Sequence, residues 1–296
     1  MANAPLNTRP GHPLKALPSQ LGLLADLAGT WVGDGFNLIS LPDFDSNPPS
    51  TGPKDFRLKL NATRETLQFT PIGGAVPNRG ALSAPGSSTG QPDINLFGLT
   101  YFQRISDAVT NEALHIEPGI WLNVPATTVQ PNQPATVVRL GTIPHGDSLL
   151  AQSTFVTTVP TGPTIGPVDS TPTRNPPGPP LGLPYLQPFE NPPLPPDFRL
   201  PFVKNLNLAL EEAILGQTII NTVVLVISTT PDGNIVNIPF VVKNAAATKL
   251  DAIFWIETVQ QPDGSTFMQL QYTQTVILHF LGIDWPHISV ATLVKQ

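Results

Sequence analysis

Between residues 160 and 201, fifteen of 42 positions are proline. Proline has no backbone N–H to donate and its ring clashes with a preceding helical turn, so this stretch is neither regular helix nor regular sheet. Polyproline-type extension suits it, as a linker or as a cover. Tyr185, Leu186, Phe189, Leu194, Phe198, Leu200 and Phe202 interrupt the prolines. A free linker rarely carries that much apolar surface, so the stretch is expected to pack as a loop on the rest of the domain or on a partner. The chain as a whole has 36 prolines in 296 residues and only 12% charged residues, against a usual charged share of about 25%. That balance excludes a helical bundle or coiled coil, and the 40% hydrophobic content excludes disorder throughout.

Outside the proline-dense stretch the pattern is β. Runs with turn signals between them occupy 29–39, 56–69, 96–105, 113–124, 135–140, 148–159, 218–229, 234–242, 252–260, 266–280 and 288–295. In 266–280 the side chains alternate: Met268, Leu270, Tyr272, Val276 and Leu278 fall on one face, and Gln269, Gln271, Thr273 and Thr275 on the other. A helix is predicted at 205–216, with Glu211 and Glu212 outward, and a short helix or turn at 21–27. The expectation is an all-β fold: an antiparallel up-and-down β-barrel of about ten strands with one or two short helices. Closure removes the exposed edges that a sheet protein with so little charge could not safely leave open. Residues 1–20 read as an extended proline-punctuated arm, and 21–296 as a single barrel domain with the insertion at 160–201. The barrel interior either takes a flat apolar ligand or is filled by side chains; alternation looks the same in both cases.

Composition also limits the chemistry. With no cysteine, disulfides, thiolate metal sites and cysteine nucleophiles are excluded. A net charge of -6, with Lys and Arg spread singly, makes nucleic acid an unsuitable partner. Pro5, Pro10, Pro13 and Pro18 break the N-terminal region where a signal peptide needs a continuous apolar core, and no run is long enough for a membrane span, so a cytoplasmic protein is expected. Five histidines remain as the main reactive inventory. His12 lies in the arm, and His145, in a Pro-His-Gly-Asp turn, reads as a surface residue. His279 extends the polar row of its strand. His115 shares a strand face with Glu117 beside Trp121, as a structural hydrogen-bonder or as a polar group in a ligand pocket. His287 opens the final strand and is either a capping or solvent-facing group or a metal ligand. Zinc would need several such ligands at short spacing, whereas haem needs one.

Three segments together resemble the nitrobindin family of small haem-binding β-barrels, which are similar in shape to lipocalins and fatty-acid-binding proteins. They are Gly29-Thr30-Trp31-Val32-Gly33-Asp34-Gly35, then Leu114-His115-Ile116-Glu117-Pro118-Gly119, and finally Leu270-Gln271-Tyr272 followed by Pro286-His287-Ile288-Ser289-Val290-Ala291-Thr292-Leu293. The resemblance covers about half the chain; the insertions at 43–54, 81–93 and 160–201 have no counterpart in it. It implies haem b, with His287 as the metal ligand and His115 on the opposite side, and Trp31 and Tyr272 among the cofactor-binding residues. It further implies nitric oxide binding or, if the protein is an enzyme, haem-dependent isomerisation of peroxynitrite to nitrate. Two other readings stay open. One is a haem-free carrier of a small apolar ligand. The other is a self-assembling structural protein, a homo-oligomer formed through the arm and the proline-rich insertion, since a low-charge surface offers little barrier to self-association.

Overall fold

In the computed structural model, residues 17–43, 56–78, 80, 90–127, 129 and 132–296 are described. Thirteen strands are present among them: β1 (Gly29–Pro42), β2 (Phe56–Pro71), β3 (Val76–Asn78), β4 (Ile94–Asp107), β5 (Ala113–Val124), β6 (Thr136–Ile143), β7 (Asp147–Val159), β8 (Thr173–Arg174), β9 (Thr218–Ser228), β10 (Asn234–Asn237), β11 (Ala246–Gln260), β12 (Thr266–Phe280) and β13 (Ile283–Lys295). Ten of them form a closed antiparallel barrel in the order β1-β2-β4-β5-β6-β7-β9-β11-β12-β13, and β13 pairs back onto β1 from Trp31↔Lys295 to Leu38↔Ile288. The short strands β3, β8 and β10 pair with β4, β13 and β7 outside this ring. The expected ten-strand barrel is therefore the fold. Closure depends on the first motif: a Cβ at Gly35 would stand 2.1 Å from the Val290 carbonyl oxygen, so only glycine lets β13 approach β1 this closely.

Strand alternation sorts the large side chains into two cores. On β11, Phe254 and Ile256 join one cluster and Trp255, between them, the other; on β13, Ala291 and Leu293 join the first and Ile288 and Val290 the second. The first cluster fills the barrel. At one end it is capped by α1 (Leu17–Leu21) and a 3-10 turn (Gly22–Leu27), whose Leu21, Leu24 and Leu27 are buried on Trp31. Trp31 Nε1 donates to the Leu27 carbonyl at 2.7 Å, which satisfies the indole in an apolar setting. The arm expected at 1–20 thus ends in helix from Leu17, and its earlier part, with His12, lies outside the described residues.

The second cluster lies on the outside of the wall, beneath the proline-rich insertion. Ile165, Leu181, Phe189, Phe198 and Phe202 pack there against Leu38, Phe56, Trp255, Trp285 and Val290. The insertion is a cover on its own barrel. It carries α2 (Leu183–Leu186), α3 (Leu200–Lys204) and, directly after it, α4 (Asn207–Ala213). Helix α4 is shorter than the 205–216 expected because Asn205 breaks it from α3, its Oδ1 accepting from the backbone N–H groups of Val168 and Asn207. The run expected as strand over 234–242 is strand only to Asn237; Pro239 then opens α5 (Pro239–Asn244), where its missing N–H costs nothing.

The polar row of β12 also differs from a solvent face. Gln269, Gln271 and Thr273 are buried. Gln271 Nε2 donates to the Leu210 carbonyl and to Thr292 Oγ1, and Thr273 Oγ1 donates to Asn207 Oδ1, so the row seats α4 on the barrel wall. No helix among the described residues is long and apolar enough to cross a membrane.

Candidate functional site

Three of the five histidines, His115, His145 and His287, lie near one another at the barrel end opposite the helical cap, and His279 stands at the same end, because the β4–β5, β6–β7 and β12–β13 turns all lie there. His287 on β13 shares its strand face with Ser289 and Ala291, and so with the barrel-filling cluster. Asn37 Nδ2 lies 2.8 Å from His287 Nε2 and 2.8 Å from Ser289 Oγ. Asn61 Nδ2 donates to Asn37 Oδ1 at 3.4 Å, which fixes the direction of the Asn37 amide and leaves its NH2 facing the imidazole. His287 Nε2 therefore accepts, and its proton sits on Nδ1. Burial, with the positive charge that His115 and His145 can carry nearby, pushes the His287 pKa down to about 3. The ring is neutral throughout the physiological range.

His115 on β5 is 15% exposed at its side chain, with Nε2 3.2 Å from Glu117 Oε2. The His145 ring lies 5.6 Å from it, centroid to centroid. His145 is exposed, as its turn predicts, yet desolvation and His115 lower its pKa. His279 Nδ1 donates to Asp284 Oδ1 across the β12–β13 turn at 2.8 Å, which is a turn-stabilising role. No group of three or more metal-ligating side chains that could hold an ion occurs among the described residues.

Below the histidines the barrel waist is polar and filled. Glu117 is fully buried, with Oε1 2.7 Å from Arg139 Nη2 and accepting from the Tyr101 hydroxyl. Burial alone would raise the Glu117 pKa, but the Arg139 guanidinium and the hydrogen bond from His115 hold it well below the ordinary carboxylate range. Arg139 also donates to Tyr101 Oη at 3.1 Å and Gln274 Oε1 at 2.7 Å. Glu65 on β2 is 1% exposed and pairs with no counter-ion among the described residues: Gln103 Nε2 donates to Oε1 at 2.7 Å and Tyr272 Oη to Oε2 at 2.6 Å. Burial pushes its pKa up to about 7. Between the two groups lies a void of about 10 Å³ bordered by Tyr101, Gln103, Arg139, Tyr272 and Gln274 with Leu67, Phe69, Trp121 and Phe254. Of the two interiors the sequence left open, the waist has the filled one, and it is polar rather than apolar because charged side chains stand at inward positions of β2, β5 and β6.

Of the four residues expected to bind a cofactor, His287 and His115 lie at the same barrel end, close enough to influence each other electrostatically, and Tyr272 lies in the waist. Trp31 belongs to the capped end, six residues along β1 from Asn37, about 20 Å at strand rise. Glu65, Arg139, Asn37 and Ser289 were missed in the sequence. The signal for Glu65 and Arg139 was a charge within period-two alternation, each two positions from an inward apolar residue, Leu67 and Val137. A larger groove of about 660 Å³ lies outside the barrel, where Ala209, Leu210 and Ala213 of α4 face Val32, Phe36 and Val290 of the wall, and none of the four expected residues borders it.

No family model matches the chain, and no curated protein matches it. Among solved structures it is similar to Rv2717c from M. tuberculosis, known from a crystal structure, at 17% sequence identity and a TM-score of 0.43 over 93% of this chain and 99% of that one.

Proposed function

We propose that the protein is a binding barrel whose guest sits at the histidine end, with ferric haem b as the first candidate and His287 Nε2 as its ligand. The observation that carries this reading is the chemistry of His287. An inward-facing imidazole that stays neutral down to about pH 3 keeps a lone pair available at every working pH, as an iron ligand requires. Its Nε2 is held by Asn37, which has a second acceptor in Ser289 Oγ and can turn to it when the nitrogen is engaged. The waist admits no ring system, since a void of about 10 Å³ is the size of one water. A planar guest would therefore have to sit above the Glu117–Arg139 pair, beside His115 and His145. Haem, when bound, would supply iron chemistry toward a small molecule such as nitric oxide or peroxynitrite; His287 would hold it, the filled waist would limit its depth, and His115 would be the nearby polar group.

Hemin titration tests this. A Soret band shift with saturating stoichiometry is expected for the wild type and its loss for His287→Ala; equal binding by the two would remove His287 from the site. A second reading, carriage of a small apolar molecule without haem, is favoured by the outer groove, whose volume of about 660 Å³ is in the range of small-molecule sites. An environment-sensitive apolar dye displaced by Ala213→Trp, but not by His287→Ala, would favour that reading.

A further inference from the structure

Two of the buried carboxylates, Glu65 and Glu117, face the barrel interior with opposite partners. Glu117 meets a guanidinium at 2.7 Å, whereas Glu65 meets only an amide and a phenol. A carboxylate without a counter-ion in a dry interior gains from keeping its proton; one against arginine gains from losing it. When two titratable groups are pushed apart in this way, one is an acid and the other a base. The void between them is bordered by Tyr272 and Gln103 on the Glu65 side and by Tyr101 and Arg139 on the Glu117 side. It is large enough for one water and offers that water more than the two to four polar partners it needs.

We propose that this void is a specific one-water site, and that its water completes a proton-transfer chain from Glu65 to the Glu117–His115 pair at the barrel mouth. With Glu65 protonated, Oε2–H donates to Tyr272 Oη and the phenol hydrogen turns to the water. The water donates to Tyr101 Oη, and Tyr101 O–H already donates to Glu117 Oε1. Each oxygen receives one proton and passes one on, so a proton lost by Glu65 arrives at Glu117 with no heavy-atom bond made or broken. The chain ends on Glu117, whose other oxygen, Oε2, accepts from His115 Nε2–H at 3.2 Å, so the incoming proton stays on the carboxyl of that pair. Glu65 is faced by Tyr272 from β12, His115 from β5 and Arg139 from β6, with Gln103 from β4 as the neutral partner, and its pKa near 7 makes it able to give and take a proton under ordinary conditions. The interior thus stores one exchangeable proton for a reaction at the mouth. The use of that proton by a guest rests on the reading of the histidine end as a binding site; the chain itself does not.

Infrared spectroscopy after a pH jump tests it, in a Glu257→Gln background, because Glu257 on β11 is also buried and burial raises its pKa to about 7. A carboxylic acid band is expected at pH 6 and absent in Glu65→Gln; no such band overturns the proposal. Tyr101→Phe breaks the chain on one side of the water and Tyr272→Phe on the other. Each is expected to slow loss of the Glu65 proton roughly a hundredfold, the low end for losing a positioned proton-transfer group. Unchanged rates in both overturn the chain, as does a crystal structure with no water between the two phenols. Loss of hemin binding with the band and rates intact would sink the guest reading alone.

Discussion

Replacing Glu65 with glutamine should stabilise the protein at alkaline pH, the reverse of what loss of a buried charged group normally does. Glu65 is 1% exposed, and burial raises its pKa from 4.5 to about 7. Between those values the folded chain holds a proton that the unfolded chain has released, so unfolding releases protons and stability falls as pH rises. The contribution is fully present below about pH 4.5 and lost as pH rises through about 7. At about 1.4 kcal/mol per pKa unit, the wild type gives up about 3 kcal/mol from this group by pH 8. A glutamine side chain at this position would reproduce the protonated form: its carbonyl accepts from Gln103 and its amide donates to Tyr272, with nothing to ionise. Urea denaturation at pH 5, 6, 7 and 8 reads the difference. The variant should match the wild type at pH 5 within about 1 kcal/mol and exceed it by about 3 kcal/mol at pH 8. Curves that stay parallel across this range would refute the assignment of Glu65 as a neutral acid.

Arg139→Met leaves Glu117 buried without its partner and should cost about 3–5 kcal/mol in denaturant unfolding, whereas adding Glu117→Leu should recover most of that loss. Trp285 is fully buried and packs on Phe56, Phe280 and Tyr185 beneath the proline-rich cover. Trp285→Ala should cost about 3–5 kcal/mol and should make residues 160–201 the first site of limited proteolysis while the barrel fragments remain intact.

Some of this was legible without coordinates. Period-two alternation in 266–280 placed Leu270 and Tyr272 on one face, which proves to be the inward one. Fifteen prolines in 42 residues barred 160–201 from the sheet, and its aromatic residues announced that it packs on something. The His115 and Glu117 pairing followed from their shared strand face. These are local statements, set by backbone sterics and by which side of a pleat a residue occupies.

Tertiary structure decided the rest, because it depends on residues far apart in the chain. Gln269, Gln271 and Thr273 look like a wet face until α4 is seated on them. Glu65 and Arg139 stand in register with inward Leu67 and Val137, but only closure of ten strands shows which partner each one finds, and that partner sets its charge. Asn37 and His287 are 250 positions apart, and no local pattern says that an amide from the first strand fixes the tautomer of an imidazole on the last. Sequence set which residues could face inward, and barrel closure set what they met there. Protonation follows from the meeting, since a buried group's charge is determined by its neighbours rather than by its own chemistry.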